Sequence, residues 1–296
     1  MSGASTDPRR DAVALMGIVN LTPDSFFDGG RFDASGSAVR HAERLVTEGA
    51  RVIDLGAEST RPGSRAVPAD EQIARLGSTV RDVARFARVS IDTTDARVAA
   101  WALDEGASML NSVSLDVAGA FGELARARGA ELVLMHSRGA MASMPGFSTY
   151  APNRYGDVVE DVAREWSAAA ARALASGLSP SALWFDPGIG FHKNADHSLE
   201  LLARLHEFPA RLAGTSADLR MLVGTSRKSF IAARSPAAPD ARLGGSIATC
   251  LSAAMRGARL LRVHDVEPVR QALDLFFAVE RSIEPRTAAP LEAPPP

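Results

Sequence analysis

The chain has 296 residues, of which 46% are hydrophobic and 23% charged, with a formal net charge of -2. This composition is ordinary for a globular protein with one large core, and the small net charge excludes a global basic field for nucleic acid or anionic lipid. The single cysteine, Cys250, excludes an internal disulfide framework, and no apolar run approaches the roughly 18 residues of a membrane span. We therefore expect a cytoplasmic protein without nucleic-acid or membrane partners.

The two ends of the chain differ in composition from the middle. Residues 1–12 lack the apolar segment of a signal peptide, and residues 284–296 are rich in Pro and Ala. Both contain too few apolar residues to fold by themselves. The sequence predicts disordered tails around a single domain over residues 13–283.

Short apolar runs alternate with longer segments of helical spacing through this domain. The runs read, in order, "AVALMGIVN", "RVIDLGAES", "RVSIDTT", "SMLNSVS", "ELVLMHS", "LWFDPGIG", "MLVGTSR" and "LLRVHDV". Eight strand–helix units are the number that a closed parallel barrel needs, so we predict an α/β fold, a (β/α)₈ TIM barrel. The alternative is an open doubly wound sheet, which normally has fewer strands.

Apolar stripes support the helices of this prediction. The second helix is predicted from Ile73, Leu76, Val80 and Val83. The fifth is predicted from Val158, Val162 and Trp166. One such stripe per helix is what packing onto a barrel requires.

The strands begin apolar and end polar or glycine-rich. The polar strand ends hold Asn20, Glu58, Asp92, Asn111, His136, Asp186, Lys228 and Arg262. In a barrel of this type the active site lies at the carboxyl ends of the strands and in the loops that follow them. We therefore expect these side chains to meet at one mouth of the barrel.

Two long polar loops follow the first two strands. They read "NLTPDSFFDGGRF" and "GAESTRPGSRAVP". Gly, Pro and Asp are ordinary turn residues, so plain surface connections are one interpretation. Two such loops after neighbouring strands also suit lids over the barrel mouth.

Three polar side chains at the ends of the third, fourth and sixth strands offer hydrogen-bond acceptors to the mouth. Asp92, Asn111 and Asp186 together suit a flat heterocycle that carries an amino group and ring N–H groups. For each residue alone, a cap or turn role is an equal alternative. The set of three favours a ligand site.

The loops after the seventh and eighth strands are the usual phosphate site of such barrels. Here "GTSRKSF" supplies Arg227 and Lys228, and "RVHDV" supplies Arg262 and His264. Arginine binds phosphate bidentately and lysine acts as a compact charge. The cluster predicts an anion site, although a lone Arg227 or Lys228 would more simply be a solvated charge.

Other polar and aromatic residues carry less information. His136 is either a ligand or a satisfied barrel histidine, whereas Cys250, Trp101 and Trp166 suit packing. The sequence contains no His/Cys spacing typical of a metal site. Any divalent ion would be Mg²⁺ held largely by substrate phosphates.

The ordered motifs resemble those of the dihydropteroate synthases. These motifs are "GIVNLTPDSFFDGG", "DLGAESTRPGS", "SIDTT", "FDPGIGF", "GTSRKSF" and "RVHDV", and the resemblance covers roughly residues 14–280. It implies an enzyme, a transferase of folate biosynthesis. The implied reaction joins 6-hydroxymethyl-7,8-dihydropterin pyrophosphate to p-aminobenzoate, giving 7,8-dihydropteroate and pyrophosphate.

The resemblance also implies roles for individual positions. The implied pterin-binding residues are Asp92, Asn111, Met135, Asp186 and Lys228. The implied pyrophosphate contacts are Asn20, Arg262 and His264, with Asn20 also at the Mg²⁺ ion. The implied p-aminobenzoate contacts are Phe26, Thr60, Arg61, Pro62, Ser226 and Lys228. The residues expected to act in catalysis are Asp92, Lys228, Arg262 and His264.

The implied mechanism is a dissociative substitution without a nucleophilic side chain. Pyrophosphate leaves first, and the arylamine then attacks the exocyclic carbon of a delocalised pterin cation. Asp92 would face this cation while Mg²⁺, Arg262 and His264 face the pyrophosphate at the other end of the site. The resemblance further implies competition by sulfonamides and a homodimer formed through the outer helices, with the apolar helix around Leu243 to Met255 as a candidate.

Three positions depart from the family pattern. Ser112 stands where Asp is usual after the fourth-strand Asn, which would loosen Asn111 or alter the local field; Ala57 and His192 stand where Gly is usual. Two alternatives remain open. One is a methyltetrahydrofolate methyltransferase-like enzyme, and the other is a non-catalytic pterin-binding paralogue.

Overall fold

The computed structural model of the protein describes residues 13–22, 31–58, 66–139, 148, 151 and 154–283. Its eight strands are β1 (Ala14–Asn20), β2 (Val52–Gly56), β3 (Arg88–Asp92), β4 (Met109–Ser112), β5 (Glu131–Met135), β6 (Leu183–Asp186), β7 (Arg220–Val223) and β8 (Leu260–Val263). The predicted tails, residues 1–12 and 284–296, lie outside the described residues.

The strands form one closed barrel in sequence order. Each strand pairs in parallel with the next, and β8 returns to pair with β1. The (β/α)₈ prediction is thereby confirmed, and the open doubly wound sheet is excluded because such a sheet has two free edges.

Helices cover the outside of the barrel. They are α1 (Arg31–Thr47), α2 (Ala69–Leu76), α3 (Thr79–Ala84), α4 (Ala96–Asp104), α5 (Ala118–Arg128), α6 (Val158–Ala175), α7 (Ala195–Ala203), α8 (Phe208–Arg211), α9 (Ser229–Ala232), α10 (Leu243–Met255) and α11 (Val266–Ile283). None of the described helices is both long and apolar enough to cross a membrane.

The second predicted helix differs from the structure. Its apolar stripe is divided between α2 and α3, because Gly77 adopts φ 49° between them and ends α2. Ile73 is only partly buried, whereas Leu76, Val80 and Val83 reach the core. The stripe of the fifth predicted helix lies on α6, where its three residues are buried as expected.

The interior of the barrel changes character along its axis. An apolar layer at the amino-terminal end consists of Met16, Val52, Met109, Val133, Trp184, Leu222 and Leu260. Side chains of a strand alternate between its two faces, so the residue two positions later points inward again. Of these seven later positions, four hold polar side chains, Asp54, Asn111, Asp186 and Arg262, and the other three hold Ile18, Met135 and Gly224. The polar layer is therefore stacked on the apolar one at the carboxyl-terminal mouth.

Candidate active site

The mouth is organised around a buried carboxylate in β2. Arg262 donates from Nε to Asp54 Oδ2 at 2.6 Å and from Nη2 to Asp92 Oδ2 at 2.9 Å. Asn111 Nδ2 donates to the same Asp54 oxygen at 3.1 Å. Because the Asn111 amino group is engaged in this way, its carbonyl oxygen is the atom available to accept from a ligand.

Asp54 is a site residue that the sequence analysis missed. Its side chain is fully buried, and its Oδ1 has no hydrogen-bond partner among the described residues. The signal was a lone carboxylate inside the apolar run "RVIDLG", since a buried acid needs a charged or hydrogen-bonded partner. That partner, Arg262, lies 208 residues away in sequence.

Four residues on neighbouring strands form one row across the mouth. Asn20 pairs with Gly56, Gly56 with Asp92, and Asp92 with Asn111. A Cβ atom added at Gly56 would lie 3.7 Å from Asn20 Oδ1 and 3.9 Å from Asp92 Oδ2. The absence of a side chain at Gly56 thus keeps open a space onto which two oxygen atoms converge.

Burial raises the pKa of Asp92 above its usual range. The nearby carboxylates of Asp54, Glu58 and Asp186 raise it further, whereas the Arg262 guanidinium lowers it. The ionised form of Asp92 therefore depends on its contact with Arg262. The motif resemblance implies positions for these two side chains at opposite ends of the site. They form a direct ion pair instead, because inward side chains of a narrow barrel meet across its axis.

The loop after β6 presents the second acid. Asp186 Oδ1 accepts from Gly188 N at 2.7 Å, and the side chain is only 6% exposed. Burial raises the pKa of Asp186, and the cationic Lys228 opposes this shift. Lys228 Nζ also donates to the carbonyl of Ile189 at 2.5 Å in the same loop.

An apolar wall lines the pocket beside these polar groups. Val113, Met135 and Phe191 form a buried cluster. The Lys228 ammonium lies 4.5 Å from the centroid of the Phe191 ring. A flat ring with polar edges fits between such a wall and the acceptor row.

The loop after β7 directs alternate residues inward and outward. Arg227 adopts φ 59°, its backbone N–H donates to Ser246 Oγ at 2.9 Å, and its guanidinium forms an ion pair with Asp265. Arg227 is thus partly exposed and engaged in a structural ion pair, and it is not an anion ligand. The left-handed turn leaves its neighbours Ser226 and Lys228 facing the site.

Ser226 fixes the orientation of His264. The Ser226 oxygen accepts from the His264 backbone N–H at 3.2 Å and lies 3.1 Å from His264 Nδ1. Burial lowers the pKa of His264 to about 4, and Arg262 and Arg227 lower it as well. With the imidazole neutral and Nδ1 accepting from the Ser226 hydroxyl, Nε2 carries the proton and can donate to an anion.

Most of the predicted site residues gather at this mouth. Those in the described residues are Asn20, Asp92, Asn111, Met135, Asp186, Ser226, Lys228, Arg262 and His264. Phe26, Thr60, Arg61 and Pro62, all predicted at p-aminobenzoate, lie outside the described residues. Glu58, at the end of the second strand, accepts from Val67 N at 3.0 Å and Gln72 Nε2 at 3.3 Å.

One of the three departures from the family pattern, Ser112, has a local explanation, whereas nothing in the structure explains Ala57 and His192. Ser112 Oγ donates to the Ser114 carbonyl at 3.1 Å and accepts from Ser114 N, so it closes a small turn. Asn111 is nevertheless held by Asp54, and the expected loosening is not seen. His192 adopts φ 48°, a conformation that favours glycine, and Ala57 is buried.

His136 belongs to a buried network behind the mouth. Its Nε2 lies 3.0 Å from Glu165 Oε2, and its Nδ1 lies 3.0 Å from Lys193 Nζ. Of its two interpretations, the satisfied barrel histidine is the one that the geometry supports. Lys193, which is 1% exposed, was missed because a lysine in a loop motif reads as a surface charge.

Comparison with known proteins agrees with this geometry. The family model described as "Pterin binding enzyme" matches residues 16–264. The dihydropteroate synthase of Escherichia coli (strain K12) is 40% identical over 267 residues, which cover 89% of this chain and 90% of that protein.

Solved structures show the same relationship. The Xanthomonas albilineans dihydropteroate synthase with 4-aminobenzoic acid superposes with a TM-score of 0.80 at 36% identity, covering 92% of this chain and 94% of that one. The Yersinia pestis enzyme in a sulfonamide drug complex gives 0.81 at 34% identity, covering 95% and 98%. The chain therefore belongs to the dihydropteroate synthases of the pterin-binding enzyme family.

Proposed function

We propose that the barrel mouth joins 6-hydroxymethyl-7,8-dihydropterin pyrophosphate to p-aminobenzoate and releases pyrophosphate. The observation that carries this proposal is the arrangement of two neighbouring groups of side chains in one pocket. Acceptors from Asp92, Asn111 and Asp186 suit the N–H groups of a pterin, and donors from Arg262 and His264 suit an anion beside it. This transferase activity agrees with the family of the chain.

In the proposed mechanism, the residues of the pocket hold the pterin in its plane. Asp186 and the Asn111 carbonyl accept from ring N–H and amino groups, while Lys228 donates to ring acceptors. The side chains of Met135 and Phe191 contact the face of the ring. These contacts orient the exocyclic carbon and contribute to catalysis by positioning.

Bond cleavage and bond formation occur at that exocyclic carbon. The bond to the pyrophosphate oxygen breaks, and the pyrophosphate takes the electron pair. The amino nitrogen of p-aminobenzoate then forms the new C–N bond and loses a proton. Asp92 stabilises the positive charge that develops on the pterin, and His264 Nε2–H with Arg262 donates to the departing anion. Arg262 Nη1, which bonds no described residue, is the guanidinium group suited to this contact.

We propose Mg²⁺ as the cofactor. The two oxygen atoms that converge over Gly56, from Asn20 and Asp92, are the ligand type that Mg²⁺ prefers. Asn20 would hold the ion together with phosphate oxygens of the substrate. When bound, the ion neutralises charge on the leaving pyrophosphate. Removal of Mg²⁺ with EDTA should abolish turnover, and added Mg²⁺ should restore it.

The p-aminobenzoate pocket is proposed at Ser226 and Lys228, together with Phe26, Thr60, Arg61 and Pro62 of the first two loops. The described part of this pocket lies on the loop after β7, where Ser226 contacts His264 and Lys228 contacts the Ile189 carbonyl. Because it adjoins the pterin edge held by Lys228, an arylamine there would reach the exocyclic carbon.

The decisive assay follows pyrophosphate release from the pterin substrate and Mg²⁺, with and without p-aminobenzoate. We expect pyrophosphate release and dihydropteroate, identified by mass, only when both substrates are present. Pterin binding without turnover would overturn the catalytic proposal and favour the non-catalytic paralogue. Methyl transfer from methyltetrahydrofolate to a corrinoid acceptor would favour the methyltransferase alternative.

We also propose a homodimer formed through α10 and α11. The sequence of α10, "LGGSIATCLSAAM", is apolar, yet its buried residues are only Ser246, Cys250 and Ala253. On the neighbouring α11, Leu275 is 66% and Val279 is 51% exposed on one face. A second copy that covers these side chains would remove them from water.

Light scattering coupled to size exclusion tests the dimer. Leu275→Glu should give a monomer, because it buries a charge in the proposed interface. Phe86→Glu, at an exposed apolar residue after α3, should leave the mass unchanged. A monomeric wild-type protein would refute this interface.

We propose a cytoplasmic location as well. Cys250 is a buried free thiol, which a reducing compartment preserves. Fractionation of cells that express a tagged chain should recover it with cytoplasmic markers. Recovery with periplasmic or membrane markers would contradict this location.

A further inference from the structure

The chain uses lysine at only two places. Of its 33 basic residues, 31 are arginines and two are lysines, Lys193 and Lys228. Lys193 is buried and Lys228 is half-buried, and both charges act favourably on Asp186. Lys228 is accounted for by the pterin pocket. Lys193, behind the pocket, has no role in the mechanism described so far.

The Lys193 ammonium is enclosed by three acceptors. Its Nζ lies 3.0 Å from His136 Nδ1, 3.1 Å from the Phe191 carbonyl and 3.4 Å from the His136 carbonyl. Glu165 accepts from His136 Nε2–H, so Nδ1 carries a lone pair toward Lys193. Three acceptors match the three N–H groups of an ammonium, so this enclosure suits the charged form of Lys193.

These contacts join two segments that shape the pterin pocket. His136 follows the last residue of β5, whereas Phe191 and Lys193 belong to the loop after β6. The two backbones approach so closely that a Cβ at Gly188 would lie 1.9 Å from the His136 oxygen and 3.3 Å from Lys193 Nζ. The loop held in this way supplies Gly188 N to Asp186 and the Ile189 carbonyl to Lys228.

Lys193 is a second lysine cation, besides Lys228, that acts on the Asp186 carboxylate. Among the described residues, no carboxylate lies within ion-pairing distance of Lys193, so its charge is not neutralised by a direct partner. The charged groups that act on Asp186 are Lys228 after β7, Lys193 after β6, Arg262 on β8 and Asp92 on β3. Those that act on Lys193 also include Glu165 on α6 and Arg138 after β5.

We propose that Lys193 is a positioning residue of the pterin site: its buried ammonium fixes the loop after β6 to the end of β5 and stabilises the ionised form of Asp186. The inference rests on the proposed pterin site. Lys193 acts through Asp186 and Phe191 and is not required to touch substrate.

The effect of burial on Lys193 supports the proposed electrostatic interaction between Lys193 and Asp186. Burial lowers the pKa of Lys193 to about 7, and Asp186 is the charge that most strongly opposes this shift. By linkage, whatever free energy Lys193 contributes to the ionised form of Asp186, Asp186 contributes to the charged form of Lys193. This reciprocity makes the proposal measurable without turnover.

The first experiment measures the Lys193 pKa by NMR. Protein labelled with ¹³Cε-lysine gives two signals, which Lys228→Arg assigns. We expect Asp186→Asn to lower the Lys193 pKa, with an about three-fold or larger change in the deprotonation constant. A Lys193 signal that titrates identically in wild type and Asp186→Asn would overturn the electrostatic proposal.

The second experiment measures pterin affinity by calorimetry between pH 5 and 9. Lys193→Met keeps the length of the side chain and removes the charge and the donors. We expect it to weaken pterin binding about ten-fold at neutral pH. Because Asp186 loses a cation, its pKa should rise, and affinity should begin to fall at a higher pH as the solution is acidified. Arg97→Met, at an exposed cation on α4, is the control that should match wild type.

The outcomes separate this inference from the proposed function. A folded Lys193→Met variant with the pterin affinity of wild type at every pH would overturn the positioning role. An equal loss of affinity at every pH, without a shift in the pH at which affinity falls, would overturn it as well. Failure of the wild-type protein to bind pterin would instead refute the proposed function. If Lys193→Met does not fold, the NMR titration of wild type and Asp186→Asn still decides the electrostatic part.

Discussion

At the residue scale, the mouth depends on charges that are removed from water. Arg262 lies between Asp54 and Asp92, and the Asp54 carboxylate also holds the amide of Asn111. The Arg262 guanidinium is the direct ion-pair partner of both carboxylates in this poorly solvated place. Substitutions here change the protonation of neighbouring groups as well as the contacts of the substituted residue.

Asp186→Ala and Lys228→Ala test the two polar edges of the pterin pocket. Each removes a charged hydrogen-bonding group worth about 1.5–3 kcal/mol, so pterin affinity should fall about 10- to 100-fold. Calorimetry measures the affinity, and circular dichroism checks the fold. Asp70→Ala, whose side chain is 82% exposed, is the control. Unchanged affinity in either folded variant would refute the assignment of that edge.

Asp54→Asn tests the residue that sequence reasoning missed. The change leaves Arg262 without its closest carboxylate in a buried place, so we expect a loss of about 3–5 kcal/mol in the free energy of unfolding. Turnover should fall as well, because Asn111 and Arg262 lose their common partner. Asp104→Asn removes the exposed ion pair with Arg128 and should change stability little. Equal effects of the two substitutions, measured by denaturant titration, would argue against this role.

At the element scale, the conformations of two loops place polar groups at the mouth of the barrel. The loop after β7 turns at Arg227, with φ 59°, and the loop after β6 turns at Gly188, with φ 66°. The two loops meet where the Lys228 ammonium, from the loop after β7, donates to the Ile189 carbonyl in the loop after β6. The left-handed conformation of Gly188 coincides with the close approach of the His136 carbonyl.

A comparison of Gly188→Ala with Gly129→Ala separates the effect of the left-handed conformation from that of the close approach of the His136 carbonyl. Gly129 ends α5 at φ 64° with open space at its Cβ position, so alanine there should cost about 1–2 kcal/mol from backbone strain alone. At Gly188 the added methyl group also collides with the His136 carbonyl, which adds roughly 1–3 kcal/mol and displaces Asp186. Thermal denaturation and pterin binding measure both. A Gly188→Ala variant no less stable than Gly129→Ala, with intact pterin affinity, would contradict the close packing described here.

At the scale of the whole molecule, the barrel brings groups from all parts of the chain into one chemical unit. Ser226 and Lys228 of the proposed p-aminobenzoate pocket lie on the loop after β7, where they contact His264 after β8 and Ile189 of the loop after β6. The related Yersinia pestis enzyme has been solved in a sulfonamide drug complex.

Sulfonamides should compete with p-aminobenzoate for this pocket. We expect sulfamethoxazole to raise the apparent KM for p-aminobenzoate without changing kcat, since both occupy the same place. Initial rates over a grid of the two concentrations measure this. Inhibition that p-aminobenzoate cannot reverse, or no inhibition at saturating drug, would place the pocket elsewhere.

His136 and His264 should each lower the stability of the protein on mild acidification, whereas the raised pKa values of Asp92 and Asp186 act in the opposite direction. Burial and the neighbouring Lys193 lower the pKa of His136 from 6.5 to about 3, and burial lowers that of His264 to about 4. Below pH 6.5 each of these histidines binds a proton in the unfolded chain but not in the folded chain, so its contribution to the free energy of unfolding falls as pH decreases. The slope is about 1.4 kcal/mol per pH unit for each such histidine.

Denaturant titrations from pH 7 to 5 measure this slope. The Glu165 contacts lower the pKa of that carboxyl to about 2, so its contribution is lost only below about pH 4.5 and does not enter this window. His136→Gln should flatten the slope, whereas His206→Gln, at an exposed imidazole, should not. A His136→Gln variant with the same dependence of stability on pH as wild type would show that His136 is not held neutral by the fold.

Local pattern was sufficient to predict the barrel and much of its mouth. The eight apolar runs with polar ends follow from the burial of parallel strands on both faces, and the motif resemblance located Asp92, Asn111, Asp186, Lys228, Arg262 and His264. Helix boundaries were predicted less well, because the break at Gly77 depends on a backbone conformation that the apolar stripe does not reveal.

The sequence by itself determined which strands exist, which ends are polar and which family the motifs indicate, because these properties are repeated locally along the chain. Only the tertiary structure decided that Asp54 pairs with Arg262, that Arg262 contacts Asp92 directly and that Lys193 is enclosed behind Asp186. Such pairings join residues that are far apart in sequence. They follow from the closure of the barrel, which forces inward side chains of different strands to share one small, poorly solvated volume.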